Sequence, residues 1–538
     1  MLCNQTVTNL SLSCHVIFLF LPRPFRQQPE QKMKISKLTL AIATVLGASV
    51  TSGAFAMDLY VDTKTKQIFA EPGRGRELMG AFEKVQDAPA KIAEKLDTAE
   101  IKAIREDLAL KDNAIKALQE HKEESTGPDS VNVKLDKKGL NFETKDKNFQ
   151  FKLGGRIHAD ANYSSTDNFQ DSKGVHKEAN DGTEFRRARI DFGGTFFKDW
   201  GFKTVADFAD NGVAMKDLFI QYTGLDFMSI TVGQQKQNFS RELLESSNDQ
   251  MFTERSLMNV LSAPVVDRAI GLNLQSRAKK DYTAALGIYG NSITPARTGS
   301  TPEVHNAGDE GWGISSRATY APIEEKTKVL HFGVAGNYRA PDATGDVAQS
   351  KALRFDYETN HMSNLNLIDV TVNDVDNIKM VGLETSGLYG PFSAGAEYTH
   401  MWIDRKQKGT AIEGGNNNLE MDGWYADAAW TITGESRQYK QGKFYQVDPK
   451  KNFSLKNGGW GAWELATRYS AVDLNDAPFK GGKMSNVTVA LNWYLNNNIR
   501  LMADYTRAFS FTNPAVTTAS GADPENNDTF TIRTQLAY

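Results

Sequence analysis

The sequence predicts an all-β transmembrane barrel of about 16 antiparallel strands, preceded by an N-terminal helical coiled-coil segment. Three observations carry this. The first is a long, polar, aromatic-rich chain without a membrane helix. It has 538 residues, 40 % of them hydrophobic and 24 % charged, with a mean hydropathy of −0.47. No stretch approaches the ~20 consecutive apolar residues of a spanning helix. The 29 Phe, 17 Tyr and 8 Trp argue against disorder. Barrels are polar on average because only alternate residues meet lipid. The second observation is period-two alternation over segments long enough to cross a bilayer. The third is an alternating strand that runs to an aromatic C-terminal residue.

The N-terminus reads as a leader. From Met33 to Ala56 a charged start (Lys34, Lys37) is followed by the apolar run Leu38–Val50. The small-x-small site Ala54-Phe55-Ala56 comes next. That order predicts a signal peptide over 33–56, with a core too short to span as an anchor. Residues 1–32 are expected to be a mis-assigned upstream extension, with Met33 the true start and Met57 the first mature residue. Cys3 and Cys14, the only cysteines, lie in that extension. The mature chain therefore holds itself together without disulfides. The formal net charge of −4 falls to −8 once this leader, with five Lys/Arg and one Glu, is removed. That does not favour nucleic acid as a partner.

Residues 57–127 are expected to form a periplasmic segment with a coiled coil. From about Arg76 to Lys122 the chain is charged, Ala-rich and free of β-branched runs. Ile101, Ile104, Leu108, Ile115 and Leu118 fall at alternating spacings of 3 and 4 if Lys111 takes one seam position. Gly127-Pro128-Asp129 then breaks the helix. The barrel domain is expected over 128–538.

After the break the period changes to 2. Phe149, Phe151, Leu153, Gly155, Ile157, Ala159, Ala161 and Tyr163 share one face; Gln150, Lys152, Gly154, Arg156, His158, Asp160 and Asn162 share the other. A tilted membrane strand needs about 9–11 residues, and soluble strands are usually nearer 5–6. The pattern recurs from Arg187 to Phe196, Trp312 to Tyr320, Leu330 to Tyr338, Trp424 to Ile432, Trp463 to Ala471, Val487 to Trp493 and Ile499 to Thr506. Aromatics sit at the ends of many apolar faces, where an interfacial girdle belongs. About 17 strands are countable from 149 to 538; bacterial barrels have even numbers, which gives 16. The weakest stretches are 351–360 and 200–224. Gly390-Pro391 is a tight turn, whereas 237–267, 291–310 and 433–459 are long and polar. Short turns on one side and long loops on the other suit an outer-membrane barrel. Phe530, Ile532, Thr534, Leu536 and Tyr538 alternate to the C-terminus. Closure against the first strand would remove that exposed edge.

Several stretches resemble the phosphate-selective porins of the O and P type: GGRIHADANY (154–163), FRRARIDFGGTFFKDW (185–200), SSNDQMFTERS (246–256), GPFSAGAEY (390–398), TGESRQY (433–439) and GAWELATRYSAVDL (461–474). The resemblance implies a 16-stranded homotrimeric outer-membrane channel for small anions, with phosphate or polyphosphate among them. Its third extracellular loop folds into the pore. Members of the broader family also carry an N-terminal coiled coil. The implied partners are outer-membrane lipid and lipopolysaccharide, small anionic solutes and the barrel assembly machinery. The terminal residues Phe530, Ile532, Leu536 and Tyr538 look like that machinery's recognition signal.

A porin does no chemistry on its solute. It replaces part of an ion's hydration shell, weakly enough that the ion leaves again. Arg suits phosphate because its planar fork gives two parallel hydrogen bonds. Alternation puts Arg156, Arg187 and Arg189 on polar faces, and Arg186 on the opposite face unless a bulge re-aims it. The resemblance instead implies Arg156, Arg186, Arg187 and Arg255, with hydroxyls from Ser246 and Ser247. Both sets are retained. Before the serine pair this chain reads Arg241-Glu242-Leu243-Leu244-Glu245, where phosphate-selective members carry a Lys. Glu242, Glu245 and Asp249 make the loop acidic. These departures, with the charge of −8, keep open a general porin, as does the tether for a structural barrel held by its coiled coil. No H-E-x-x-H, G-x-S-x-G or Walker loop is present. No enzyme activity, cofactor or metal site is expected.

Overall fold

A computed structural model describes residues 57–64, 67–82, 98–124, 130–136, 139–165, 169–277, 281–292, 311–341, 352–406 and 417–538. The upstream extension, the signal peptide and both cysteines lie outside these residues. The chain divides into two compact units, 1–110 and 111–538. In the first, Met57–Asp62 pairs with Ile68–Phe69 and with Arg76–Phe82. The helix expected from Arg76 therefore begins later, as α1 (Thr98–Glu124). The stretch Arg76–Phe82 is instead held as a strand by the Met57–Asp62 ladder. Of the expected seam residues, Leu108 and Ile115 stand 56 % and 51 % exposed.

The second unit is a closed antiparallel barrel of 16 strands. Its first half comprises β1 (Phe149–Ser164), β2 (Gly182–Phe196), β3 (Trp200–Asp207), β4 (Ala214–Tyr222), β5 (Met228–Lys236), β6 (Arg268–Ser276), β7 (Tyr282–Tyr289) and β8 (Trp312–Glu325). Its second half comprises β9 (Lys328–Ala340), β10 (Val375–Tyr389), β11 (Phe392–Arg405), β12 (Asn418–Thr431), β13 (Ala462–Asp473), β14 (Lys483–Tyr494), β15 (Ile499–Thr512) and β16 (Asn526–Ala537). Each strand pairs with the next, and β16 closes on β1 from Thr529↔Ser164 to Ala537↔Arg156. The expected antiparallel barrel and its strand number hold. Of the two weak stretches, 200–224 supplies two wall strands. Leu353–Glu358 is a strand off the wall, paired with Asn366–Val372 inside one loop.

Alternation is read out directly. On β1, Arg156, His158, Asp160 and Asn162 face inward and are buried, while Ile157 and Tyr163 face outward and are exposed. Trp200, Tyr389, Phe392 and Trp430 form an exposed rim at one end, and Tyr163, Phe185 and Trp312 one at the other. The seam needs a glycine. The backbones of Gly155 and Tyr538 exchange hydrogen bonds of 2.7 and 3.0 Å. A Cβ on Gly155 would lie 2.9 Å from the Tyr538 hydroxyl and 2.5 Å from the Arg189 carbonyl.

The main apolar core lies inside the barrel. The β5–β6 connection, 237–267, carries α2 (Arg241–Leu244) and α3 (Met258–Val266). Phe239, Leu257, Leu261 and Val266 pack there with Phe355, Met401 and Met421. Helix α3 contacts β11, β12 and β13, and the Leu353–Glu358 strand packs on it. One expectation needs correcting. The long segment 433–459 joins β12 to β13, so strand parity puts it at the same end as the short turns 197–199 and 390–391. Its length does not make it an opposite-side loop. It also turns inward, because its polar groups find partners in the lumen: the Phe444 amide donates to Glu245 (3.0 Å), and Arg437 to the Asp249 carbonyl (2.6 Å).

Candidate functional site: a cation-lined passage

With one side of the lumen filled, a cavity of about 440 Å³ remains along the wall of β1 to β8 and the inner face of the 237–267 loop. Its walls carry eleven cationic side chains: Arg156, Arg186, Arg187, Arg189, Lys203, Lys216, Lys236, Arg255, Arg268, Arg317 and Lys443. The acidic ones are Asp217 and Asp267.

Strand register brings the predicted arginines together. Arg156 pairs with Arg189 across β1 and β2, and His158 with Arg187. Ala159 then pairs with Phe185, so Arg186 is the extra residue of a β-bulge. A bulge re-aims a side chain at the cost of local pairing. Arg186 joins Arg187 on the lumen side, while Phe185 stays outside. The choice between Arg186 and Arg189 thus dissolves: both line the cavity. The same device recurs where Val205 pairs with Asp217 and Ala206 with Met215, which leaves Lys216 as a second bulged, lumen-facing cation.

The guanidiniums are held differently. Arg156 donates to the Ser246 and Ser247 hydroxyls, both at 3.1 Å, and to Asp191 at 3.1 Å. Arg189 pairs with Asp207 at 2.7 Å, Arg186 with Glu254 at 2.9 Å and Arg268 with Asp217 at 2.7 Å. Arg255 donates to the Glu242 carbonyl at 3.3 Å. Lys236 donates to the carbonyls of Leu243 and Glu245. Arg187 is 5 % exposed, and its guanidinium has no hydrogen bond or ion pair among the described residues. Burying a charge without a partner is costly.

The acidity expected of the loop does not reach the passage. Glu242 accepts from the Ser256 amide and hydroxyl (3.0 and 2.7 Å) and from Arg468 (3.2 Å). Glu245 accepts from Arg241 (3.2 Å) and the Phe444 amide. Asp249 accepts from the Gln446 amide (3.1 Å). These carboxylates fasten the loop to the wall and to 433–459, which leaves Ser246, Ser247 and Arg255 toward the cavity. On the loop, burial opposes ionisation of Glu254. The guanidiniums of Arg186, Arg187 and Arg533 outweigh it and hold the carboxyl below the usual range.

Sequence reasoning missed Lys203, Lys216, Lys236, Arg268 and Lys443. Arg317 stood on a recognised polar face. Lys216 was hidden by its bulge, and Lys443 comes from the misplaced connection. There, burial and the Arg317 guanidinium push its ammonium down to about 8. Among the described residues no group of three or more His, Cys, Asp or Glu is arranged to hold a metal ion.

A family model described as phosphate-selective porin O and P matches residues 151–538. The chain is 30 % identical to porin O of Pseudomonas aeruginosa over 431 residues, covering 75 % of this chain and 91 % of that protein. It is 29 % identical to an uncharacterised protein of Caulobacter vibrioides, covering 68 % and 69 %. Among solved structures it is similar to an anion-selective porin from Comamonas acidovorans (TM-score 0.45, 13 % identity, 72 % of this chain and 100 % of that one). It is also similar to the outer-membrane channel DcaP of Acinetobacter baumannii (TM-score 0.43, 14 % identity, 74 % and 99 %). A 16-stranded barrel whose lumen is narrowed by an inward loop, matched by the family from residue 151 to 538, belongs to the phosphate-selective porin O and P family: the chain is an outer-membrane porin, a channel rather than an enzyme.

Proposed function

We propose that the cation-lined passage is the conducting path for small anions, phosphate or polyphosphate among them. The observation that carries this is the charge of the walls: eleven cations against two acids, with Arg187 buried and, among the described residues, without a hydrogen bond or close ion pair. Arg156, Arg186, Arg187, Arg189 and Arg255, with the Ser246 and Ser247 hydroxyls, form the anion site. The ion pairs of Arg186 and Arg189 blunt their pull on a passing ion, so binding stays weak enough for release. The chain is exported by the signal peptide at 33–56 and matures at Met57. Its terminal residues Phe530, Ile532, Leu536 and Tyr538 are read during assembly into the outer membrane. There it works as a homotrimer in contact with phospholipid and lipopolysaccharide, with 57–127 in the periplasm.

The test is planar-bilayer recording of the purified protein in a KCl gradient with phosphate titrated in. A reversal potential of anion-selective sign and a chloride current reduced by phosphate are expected. Arg156→Ala combined with Arg187→Ala lowers both. Cation selectivity, or selectivity unchanged in the double variant, removes these residues from the site. A folded protein that carries no current defeats the channel reading and favours a structural barrel.

A further inference from the structure

The passage is not uniformly polar. Phe219, on the inner face of β4, is the cross-strand neighbour of Lys203 and lines the cavity only partly buried. Leu244 closes α2 two residues before Ser246 and is likewise partly open to the cavity. Val205 and Ala263 extend this apolar strip. Elsewhere the inward positions of the barrel strands are mostly polar or packed against the inner core. An inorganic anion gains nothing from an aromatic ring and a leucine on the wall of its passage, because it is recognised by donors and positive charge alone. At about 440 Å³ the cavity is also far larger than one phosphate needs. It falls within the range of small-molecule sites, ~300–1,000 Å³, where apolar walls are combined with a few placed polar groups.

We infer that the passage prefers organic phosphate monoesters with a compact apolar substituent over inorganic phosphate, the Phe219–Leu244 strip receiving the substituent while the arginines and serines hold the phosphate. This deepens the anion-path reading and rests on it. A monoester keeps three terminal oxygens for the guanidinium forks and hydroxyls. Its fourth oxygen carries the substituent, and desolvation of that group against Phe219 and Leu244 adds to binding.

The experiment compares half-blocking concentrations of inorganic phosphate, phenyl phosphate and phenol on the chloride current of the full-length porin in planar bilayers. Phenyl phosphate is expected to block at about tenfold lower concentration than phosphate, the order expected when part of one ring leaves water. Phenol, which lacks the dianion, is expected not to block. In Phe219→Gln/Leu244→Gln the ratio of the two half-blocking concentrations falls toward one; Phe219→Gln alone gives an intermediate ratio. Equal block by phosphate and phenyl phosphate in the unaltered protein overturns the inference without any variant and leaves the anion path standing. So does a ratio unchanged in a variant that conducts, or block by phenol. Absence of block by either phosphate overturns the inference alone, whereas a cation-selective reversal potential in the same recordings removes the anion path and the inference with it.

Discussion

An arginine paired at close range with a carboxylate and an arginine without a hydrogen bond or close ion pair among the described residues are different tools, and this lumen contains both. Arg187 acts on Glu254 only through space, without a hydrogen bond or close ion pair, whereas Arg189 is paired with Asp207 at 2.7 Å. We expect Arg187→Ala to reduce anion preference more than Arg189→Ala, measured by reversal potential. Arg189→Ala instead costs stability by stranding Asp207. Breaking a buried pair costs about 3–5 kcal/mol, and less here because the two side chains keep 12 % and 8 % exposure. A lower temperature of unfolding on heat-modifiability gels would report it. Lys443 gives a pH signature. It is charged below about 8 and neutral above, so anion preference should fall as pH rises from 7 to 9. Lys443→Arg should flatten that profile, since arginine stays protonated; a profile equally steep in the variant places the titration elsewhere. Alternation alone put Arg156, Arg187 and Arg189 on lumen faces. Arg186 and Lys216 were not legible in that way, because a bulge is a register event between two strands and leaves no mark on the period of either one.

Three connections shape the interior, and only one was readable in advance. The resemblance pointed to 237–267 as the inward loop. The inward course of 433–459 was not visible, because nothing in a polar segment says whether its partners are water or the groups of another loop. Residues 352–374 are latched across the mouth. Asn360 donates to the Ser164 hydroxyl at 2.9 Å, Thr359 to Asn527 at 3.0 Å, and His361 meets Glu184 at 2.7 Å. The hydrogen bond to Glu184 raises the pKa of His361 above its ordinary value. That contact is fully present below the unfolded-state value of about 6.5 and is lost as pH rises through the higher folded value. Hydrogen exchange over 352–372, corrected for intrinsic rate, should therefore quicken between pH 6 and pH 9, and His361→Gln should remove most of the change. Protection that is independent of pH in the unaltered protein would rule out the histidine as the latch.

At the scale of the molecule the sequence was most informative, because a barrel's physics is periodic. One face meets lipid and one meets water, sixteen times over, and each strand repeats the message. Strand number needed the even-count rule, since the strand Leu353–Glu358 has the right composition but lies off the wall. The interior filling follows no period and had to be seen. Assembly can be probed through the mature chain's lack of cysteine. Ile115→Cys, at an exposed position of α1, should cross-link between copies if three helices associate. A band that stays at monomer size under oxidising conditions would exclude a coiled coil between copies.

The bulges at Arg186 and Lys216 also bear on how such a pore changes over generations. Replacing a wall residue trades one side chain for another and keeps the number of lumen-facing positions fixed. A bulge adds a position: Phe185 and Arg187 keep the faces they would have in a regular ladder, and the extra residue between them is a net gain of one charge. Insertion of a single codon is thus a route to a more basic channel that leaves every downstream residue on its proper side. Deletion of Arg186 retraces that step, removing one cation and restoring an unbroken ladder between the first two strands.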